Sequence, residues 1–241
     1  YDFIFIFTIS YGCIKSSKWS ILNFVEKELI SSSPFIGEDF IKSAEILSDK
    51  FKKQLFDYYE IHNNTVSFFI NRDFVDYRIT PYFSKEQITE LNIKHFYFDS
   101  LSYFQIREFL DKNEFSSIEI KKSDVSVFLK LPTDYEQYLN MLSKKNRHEL
   151  KRKKRIFEEK FGLLSSEKSR DKDIFDNFIK MHKKSTGKKG NYMSGAVEDF
   201  YRSLYDQENW FIYYLSFDGS MISSAFVYES EIVDYLYNSC R

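Results

Sequence analysis

Two rhythms of apolar residues run along the chain. In the first half, the continuous apolar run at 3–9 predicts a strand. Ser16 and Ser17 then stand as N-caps to a helix over 18–30, with Ile21, Leu22, Val25 and Leu29 on one face. Ser33-Pro34 breaks the chain, and a second helix is predicted at 38–47. Strands follow at 55–61 and 65–70 around the turn cluster His62-Asn63-Asn64, with a further strand at 74–79. The half closes with a short helix (84–91), a strand (94–98), a helix (101–113) and a strand (115–121).

The second half opens with a strand at 125–131. Pro132-Thr133-Asp134 then starts one long helix over 135–161, whose apolar stripe (Tyr135, Tyr138, Leu139, Leu142, Leu150, Phe157, Phe161) is interrupted by Asn146. A helix at 174–184, a polar glycine-containing loop at 183–195 and a helix at 197–205 come next. Three strands follow at 210–217, 221–229 and 232–239; Asp218-Gly219 between the first two is a hairpin signal, because glycine supplies the positive φ of a tight turn. Apart from the added short helix at 197–205, both halves open strand, helix, helix, strand, strand, strand. The expectation is therefore an α/β protein of two similar halves, 1–121 and 122–241, with mixed sheets flanked by helices.

Composition narrows the function classes. Lys and Arg (35) balance Asp and Glu (36), so a chain wrapped in nucleic acid along its length is excluded and any anion site must be local. The two cysteines, Cys13 and Cys240, and the scattered His62, His95, His148 and His182 make neither a disulfide framework nor a zinc set, so no metal is expected. A reducing, cytoplasmic setting follows from that cysteine usage. The run at 3–9 is far short of a bilayer span, which takes roughly 18 apolar residues. The start at Tyr1 and the stop at Arg241, directly after a strand, read as a fragment cut at both ends.

The most conspicuous chemistry is basic. Eight Lys or Arg fall within residues 144–155, on a helix. One reading is a solvated face balanced by Glu149, Glu158 and Glu159; the other is a surface for a phosphorylated cofactor, an acidic glycan or nucleic acid. There Arg147, at the helical offset of Lys144 and Lys151, would clamp a phosphate or carboxylate. No aromatic residue interrupts the run, which speaks against base stacking. His182, near a helix end before a flexible loop, is a candidate general base. That loop, Ser185-Thr186-Gly187-Lys188, has the wrong order for a P-loop and no strand leading into it. In the last strand Tyr237 and Ser239 alternate onto one face and are candidates for proton handling.

Three segments carry a resemblance. Leu131-Pro132-Thr133-Asp134-Tyr135-Glu136-Gln137-Tyr138-Leu139 leading into Leu142-Ser143-Lys144-Lys145-Asn146-Arg147-His148-Glu149-Leu150-Lys151-Arg152, Phe178-Ile179-Lys180-Met181-His182, and Asp218-Gly219-Ser220-Met221-Ile222-Ser223-Ser224-Ala225-Phe226 together resemble the BioF-like/CelD-like acetyltransferase domain of the GNAT superfamily, related to FemABX proteins. Trp19 with Ser33-Pro34-Phe35 resembles the start of the same proteins' N-terminal half. The resemblance implies two GNAT-like halves, the second truncated, and an acyltransferase that uses acetyl-CoA or another acyl-CoA. The donor would lie in a splay beside the fourth strand of a half, at 232–239, with Lys144, Lys145, Arg147 and Arg152 near anionic groups of donor or acceptor. The acceptor would be a small molecule or glycan amine or hydroxyl, in polysaccharide or cell-envelope biosynthesis. The family's glycine-rich pyrophosphate loop should begin where the chain stops, which implies that this fragment is inactive alone. FemABX relatives use aminoacyl-tRNA as donor, and a non-catalytic binding module is the alternative of a different class.

Overall fold

The computed structural model describes residues 4–8, 30–47, 54–56, 59–68, 70, 72–75, 78, 82–112, 118–120 and 126–241. Among them the chain is mixed α/β, with one sheet of six strands and one of four. It forms two compact units, Ile9–Ser126 and Tyr1–Thr8 with Val127–Arg241. The division expected after residue 121 thus lies after 126. The first strand, β1 (Ile4–Thr8), belongs to the later unit, where Phe5 stands opposite Asp234 in a parallel pairing. Element order alone does not say which sheet a strand joins.

In the early unit, α1 (Glu38–Ala44) follows a 3₁₀ turn, Pro34–Ile36, capped by the Ser33 hydroxyl. The four-stranded sheet runs β2 (Gln54–Phe56), β3 (Tyr59–His62), β4 (Thr65–Phe68), β5 (His95–Tyr97). Asn63 and Asn64 both take positive φ (48° and 63°), so the β3–β4 hairpin closes on two asparagines, among the few residues other than glycine that tolerate it. The next pairing is parallel and needs a crossover, which α2 (Lys85–Glu90) supplies. Ser84 and Gln87 fix that helix's start with reciprocal hydrogen bonds of 3.2 and 2.9 Å. Val66, Phe83 and Ile93 form the buried centre beneath Tyr59, Phe96 and Phe98, and α3 (Tyr103–Lys112) adds Phe109 against Phe96 and Phe98.

Two expectations for this unit fail. The described residues of 74–79 form no strand; Phe74 ends a 3₁₀ turn, Arg72–Phe74. Residues 118–120 are irregular, with Ile118 and Ile120 exposed. The expected helix at 18–30 lies outside the described residues but for its last position, as do 115–117 and 121 of the last strand.

The later unit's sheet has the order β6 (Ser126–Lys130), β1, β10 (Asp234–Cys240), β9 (Ser220–Glu229), β8 (Trp210–Phe217), β7 (Ser165–Ser169). From β7 to β10 every pairing is antiparallel. The hairpin at Asp218-Gly219 forms as expected, with φ of 48° and 68°. β7 was not foreseen. Its sequence Ser-Ser-Glu-Lys-Ser has no apolar alternation, and it sits at the sheet edge, where charged and polar side chains are tolerated.

The long helix expected at 135–161 is two helices. α4 (Tyr135–Met141) is capped by Asp134, and α5 (Lys144–Phe161) by Ser143, whose hydroxyl accepts from the Asn146 amide at 3.3 Å. Leu142 between them is extended (ψ 148°), so the Ser143 cap prevails over the apolar stripe. No residue of α5 is buried; it touches the sheet through Phe157 and Phe161, each with its ring 6.1 Å from that of Phe217.

One sheet face carries the core. α6 (Lys172–Lys184) buries Phe175, Phe178, Ile179 and His182 at i, i+3, i+4 and i+7. The loop expected at 183–195 contains a short helix, α7 (Lys188–Tyr192). There a Cβ at Gly190 would come within 2.1 Å of the Ser185 carbonyl oxygen, so only glycine fits. α8 (Ala196–Tyr205) buries Phe200, Tyr201, Leu204 and Tyr205. Both helices close on the ring of Phe226, which with Trp210 and Ile212 is fully buried. Among the described residues, no helix is long and apolar enough to cross a membrane.

Candidate functional site

β10 is the natural place to look, and it is not an edge: β9 lies on one side and β1 on the other. The strand beside which the resemblance lays the donor thus has neighbours on both sides, antiparallel β9 and parallel β1. β10 also carries an irregularity. Leu236 stands opposite Val227 and Asn238 opposite Phe226, so one step on β9 is matched by two on β10, a β-bulge at Tyr237. A one-residue slip reverses the faces beyond it. Tyr237 faces the core helices, its ring 5.5 Å from Tyr201 and 5.3 Å from Trp210. Asn238 also turns that way, donating from Nδ2 to the Tyr201 hydroxyl at 2.6 Å. Cys240 does the same, with Sγ 3.1 Å from the Ser224 hydroxyl and 3.7 Å from the Phe178 carbonyl. Ser239, between Asn238 and Cys240, therefore points to the opposite face and is exposed. The same-face pair expected of Tyr237 and Ser239 is split by the bulge.

His182 does not border an open loop. It occupies the i+7 core position of α6, is wholly buried, and its ring meets Phe178 edge-on at 4.8 Å. The helical periodicity that begins at Phe175 already contained this outcome.

The basic helix resolves into ion pairs. Arg152 grips Glu149 with two bonds of 2.9 Å, and Lys153 joins the same carboxylate at 3.4 Å. Arg152's hydrogen bonds are the first cause holding the Glu149 carboxyl down at about 2, and Glu149 in turn raises Arg152. Lys151 reaches Glu136 of α4 at 3.2 Å, Lys154 pairs with Glu158 and Arg155 with Glu159. Arg147 donates to the Asn140 side-chain oxygen at 2.7 Å. Lys144 and Lys145 are exposed in the first turn, where no acidic residue offsets the positive end of the helix. Lys151, Arg152, Lys153, Lys154 and Arg155 are thus in ion pairs, and Lys144, Lys145 and Arg147 have no acidic partner among the described residues. The Glu149 pairs lie at the surface, so Glu149→Gln is expected to leave the thermal midpoint unchanged; a clear drop would mean the pairs hold α5 in place.

The richest chemistry lies on the sheet face away from α6 and α8, where no single sequence motif announced it. Asp234 begins β10 opposite Glu229 of β9, on the same face. Asp234 is 3 % exposed. The Tyr213 hydroxyl donates to one Glu229 oxygen, and the Lys168 ammonium of β7 meets the other at 2.5 Å. Burial first, and the Glu229 charge second, push the Asp234 carboxyl up to about 6, against the pull of Lys168. Burial and then the bond to Glu229 raise the Tyr213 phenol well above its ordinary value. A carboxyl that titrates near neutrality at a strand start is suited to take a proton from a nucleophile. The available signal was an acid inside the run Ile232-Val233-Asp234-Tyr235-Leu236.

This placement has a consequence for stability. The folded chain holds the Asp234 proton more tightly than the unfolded chain does, so stability falls as pH rises from about 4 to about 6 and stays reduced above that. Asp234→Asn is expected to gain about 2–3 kcal/mol at pH 7–8, taking about two pH units at 1.36 kcal/mol each, and to gain nothing at pH 4 or below. Chemical denaturation at the two pH values checks this; a loss of stability at pH 7 would show that the carboxylate is needed in place.

Compared with known proteins, the chain matches no family model, no curated protein and no solved structure.

Proposed function

We propose that the chain is an acyltransferase of the GNAT-like kind, moving an acyl group from acyl-CoA to an amine or hydroxyl acceptor in polysaccharide or cell-envelope biosynthesis. The observation that carries this reading is the sheet of the later unit. Strands β7, β8, β9 and β10 follow one another antiparallel in chain order, and the fourth has a parallel neighbour, β1. That is the seam beside which the resemblance would lay a thioester donor. The early unit supports the two-half reading on its own topology, since β2, β3 and β4 are antiparallel in order and β5 runs parallel to β4.

In the proposed reaction the acceptor nitrogen or oxygen attacks the thioester carbon. The new bond to carbon forms as the carbon–sulfur bond breaks, the thiolate leaves, and the acceptor's proton passes to a base. Asp234, at the start of β10 with its carboxyl raised toward neutrality, is the candidate for that base; the His182 ring packs against Phe178 between α6 and the sheet, and Ser239 and Tyr237 face opposite ways. The β10 bulge interrupts the ladder beside the seam, the kind of irregularity that re-aims backbone and side chains next to reacting groups.

Titration of acetyl-CoA into the protein, followed by calorimetry, tests the reading; saturable binding that free CoA competes away is expected, weaker than a site with the family's pyrophosphate loop would give. Binding of aminoacyl-tRNA instead, weakening steeply with salt, would move the donor to the FemABX-like alternative. Binding of neither would overturn the transferase reading in favour of a scaffold.

A further inference from the structure

The Lys168 ammonium is held in a way that a surface salt bridge does not require. It lies 3.7 Å above the centre of the Phe211 ring and 5.7 Å from that of Tyr213, while Glu229 accepts from it. Two aromatic faces and a carboxylate around one cation are the elements of an ammonium cage. Glu229 is set by the Tyr213 hydroxyl, so the acceptor is oriented before any ligand arrives. Beside it, across the β9–β10 pairing, Asp234 adds a second carboxyl on the same face. An ammonium carries three donors, more than Glu229 alone can accept from, and the Asp234 charge acts on the same Lys168. Lys168 itself comes from the edge strand β7 with its side chain 39 % exposed, so it can leave toward water without disturbing the core.

We propose that this corner of the sheet, formed by Phe211, Tyr213, Glu229 and Asp234, is a binding site for an alkylammonium group, and that Lys168 is its tethered resident. An incoming ammonium displaces Lys168 and takes the ring faces and Glu229, with the Asp234 carboxyl beside it. That this ammonium is the acceptor of the acyl transfer rests on the reading above; the cage itself does not.

The test uses n-butylammonium, with n-butanol as the uncharged probe of the same shape, titrated into the protein and followed by NMR shifts of the tyrosine rings. A tethered competitor acts at millimolar effective concentration, so Lys168→Ala is expected to bind butylammonium at least about tenfold more tightly than the parent. Butanol should bind both alike, and Glu229→Gln added to Lys168→Ala should return butylammonium to the parent's affinity. Lys168→Met, which keeps the apolar stem, serves if the alanine variant does not fold. Equal butylammonium affinity in the parent and the folded Lys168 variant, or an equal gain for butanol, overturns the cage. The probes contain no thioester, so a failure here is distinct from a failure to bind acetyl-CoA.

Discussion

Replacing Phe226 with alanine is expected to cost the later unit about 3–5 kcal/mol, the upper range for deleting a buried ring. Phe226 is fully buried in β9 and stacks on Trp210 at 4.7 Å. Its ring also lies 5.5 Å from Tyr201 and 5.8 Å from Phe178, and contacts Phe175, Tyr205 and Tyr237. The residue therefore joins both helices to three adjacent strands. Rigid rings cannot collapse into the space it leaves as a leucine-lined site could, so the cavity persists. Trp210 reports the unit directly once Trp19 is replaced by phenylalanine. Urea unfolding followed by its fluorescence should show the loss, with Phe226→Leu intermediate. A loss below about 1 kcal/mol would mean that the helices are not clamped to the sheet through this ring.

In the early unit the largest effect is expected from Asp99→Ala, again about 3–5 kcal/mol, because it strands a buried cation. Arg78 is 5 % exposed, with its guanidinium 4.6 Å from the Phe68 ring centre, and it pairs with Asp99 at 2.8 Å. It also donates to the Ile70 carbonyl, and its own carbonyl accepts from Gln105, whose side chain and Ser102 hold each other at the start of α3. Burial pulls the guanidinium down to about 10 even with Asp99 working against the shift. Hydrogen exchange should rise by a hundredfold or more in β4, β5 and α3, as a loss of that size requires. Arg78→Met combined with Asp99→Leu should recover most of it, since the pair is costly to break and cheap to replace. If the double variant were as unstable as Asp99→Ala, the contribution would lie in the shape of the pair and not in its charge.

Local chemistry made much of this architecture readable beforehand. Asp218-Gly219 and Asn63-Asn64 specify their hairpins because few residues accept positive φ. Phe175, Phe178 and Ile179 specify the buried face of α6, and the same periodicity carried His182 inward. The Ser143 cap was not foreseen, because the apolar stripe across it concealed the break between α4 and α5.

The candidate site was less legible, because it depends on partners distant in sequence. Lys168, Tyr213, Glu229 and Asp234 come from four strands, and β7, which supplies the first, has no apolar alternation to reveal it. Tyr237 and Ser239 alternate in the sequence, but the bulge that parts them exists only in the pairing of β10 with β9.

Periodicity and turn residues act within a few positions of one another, so the chain alone settled the hairpins at 63–64 and 218–219 and the apolar face of α6. Folding settled that β1 lies beside β10, that β10 is bulged and that two carboxyls and an ammonium meet on one sheet face. Those outcomes are set by strand register and by the cost of burying charge, and neither has a value until the distant strands are in contact.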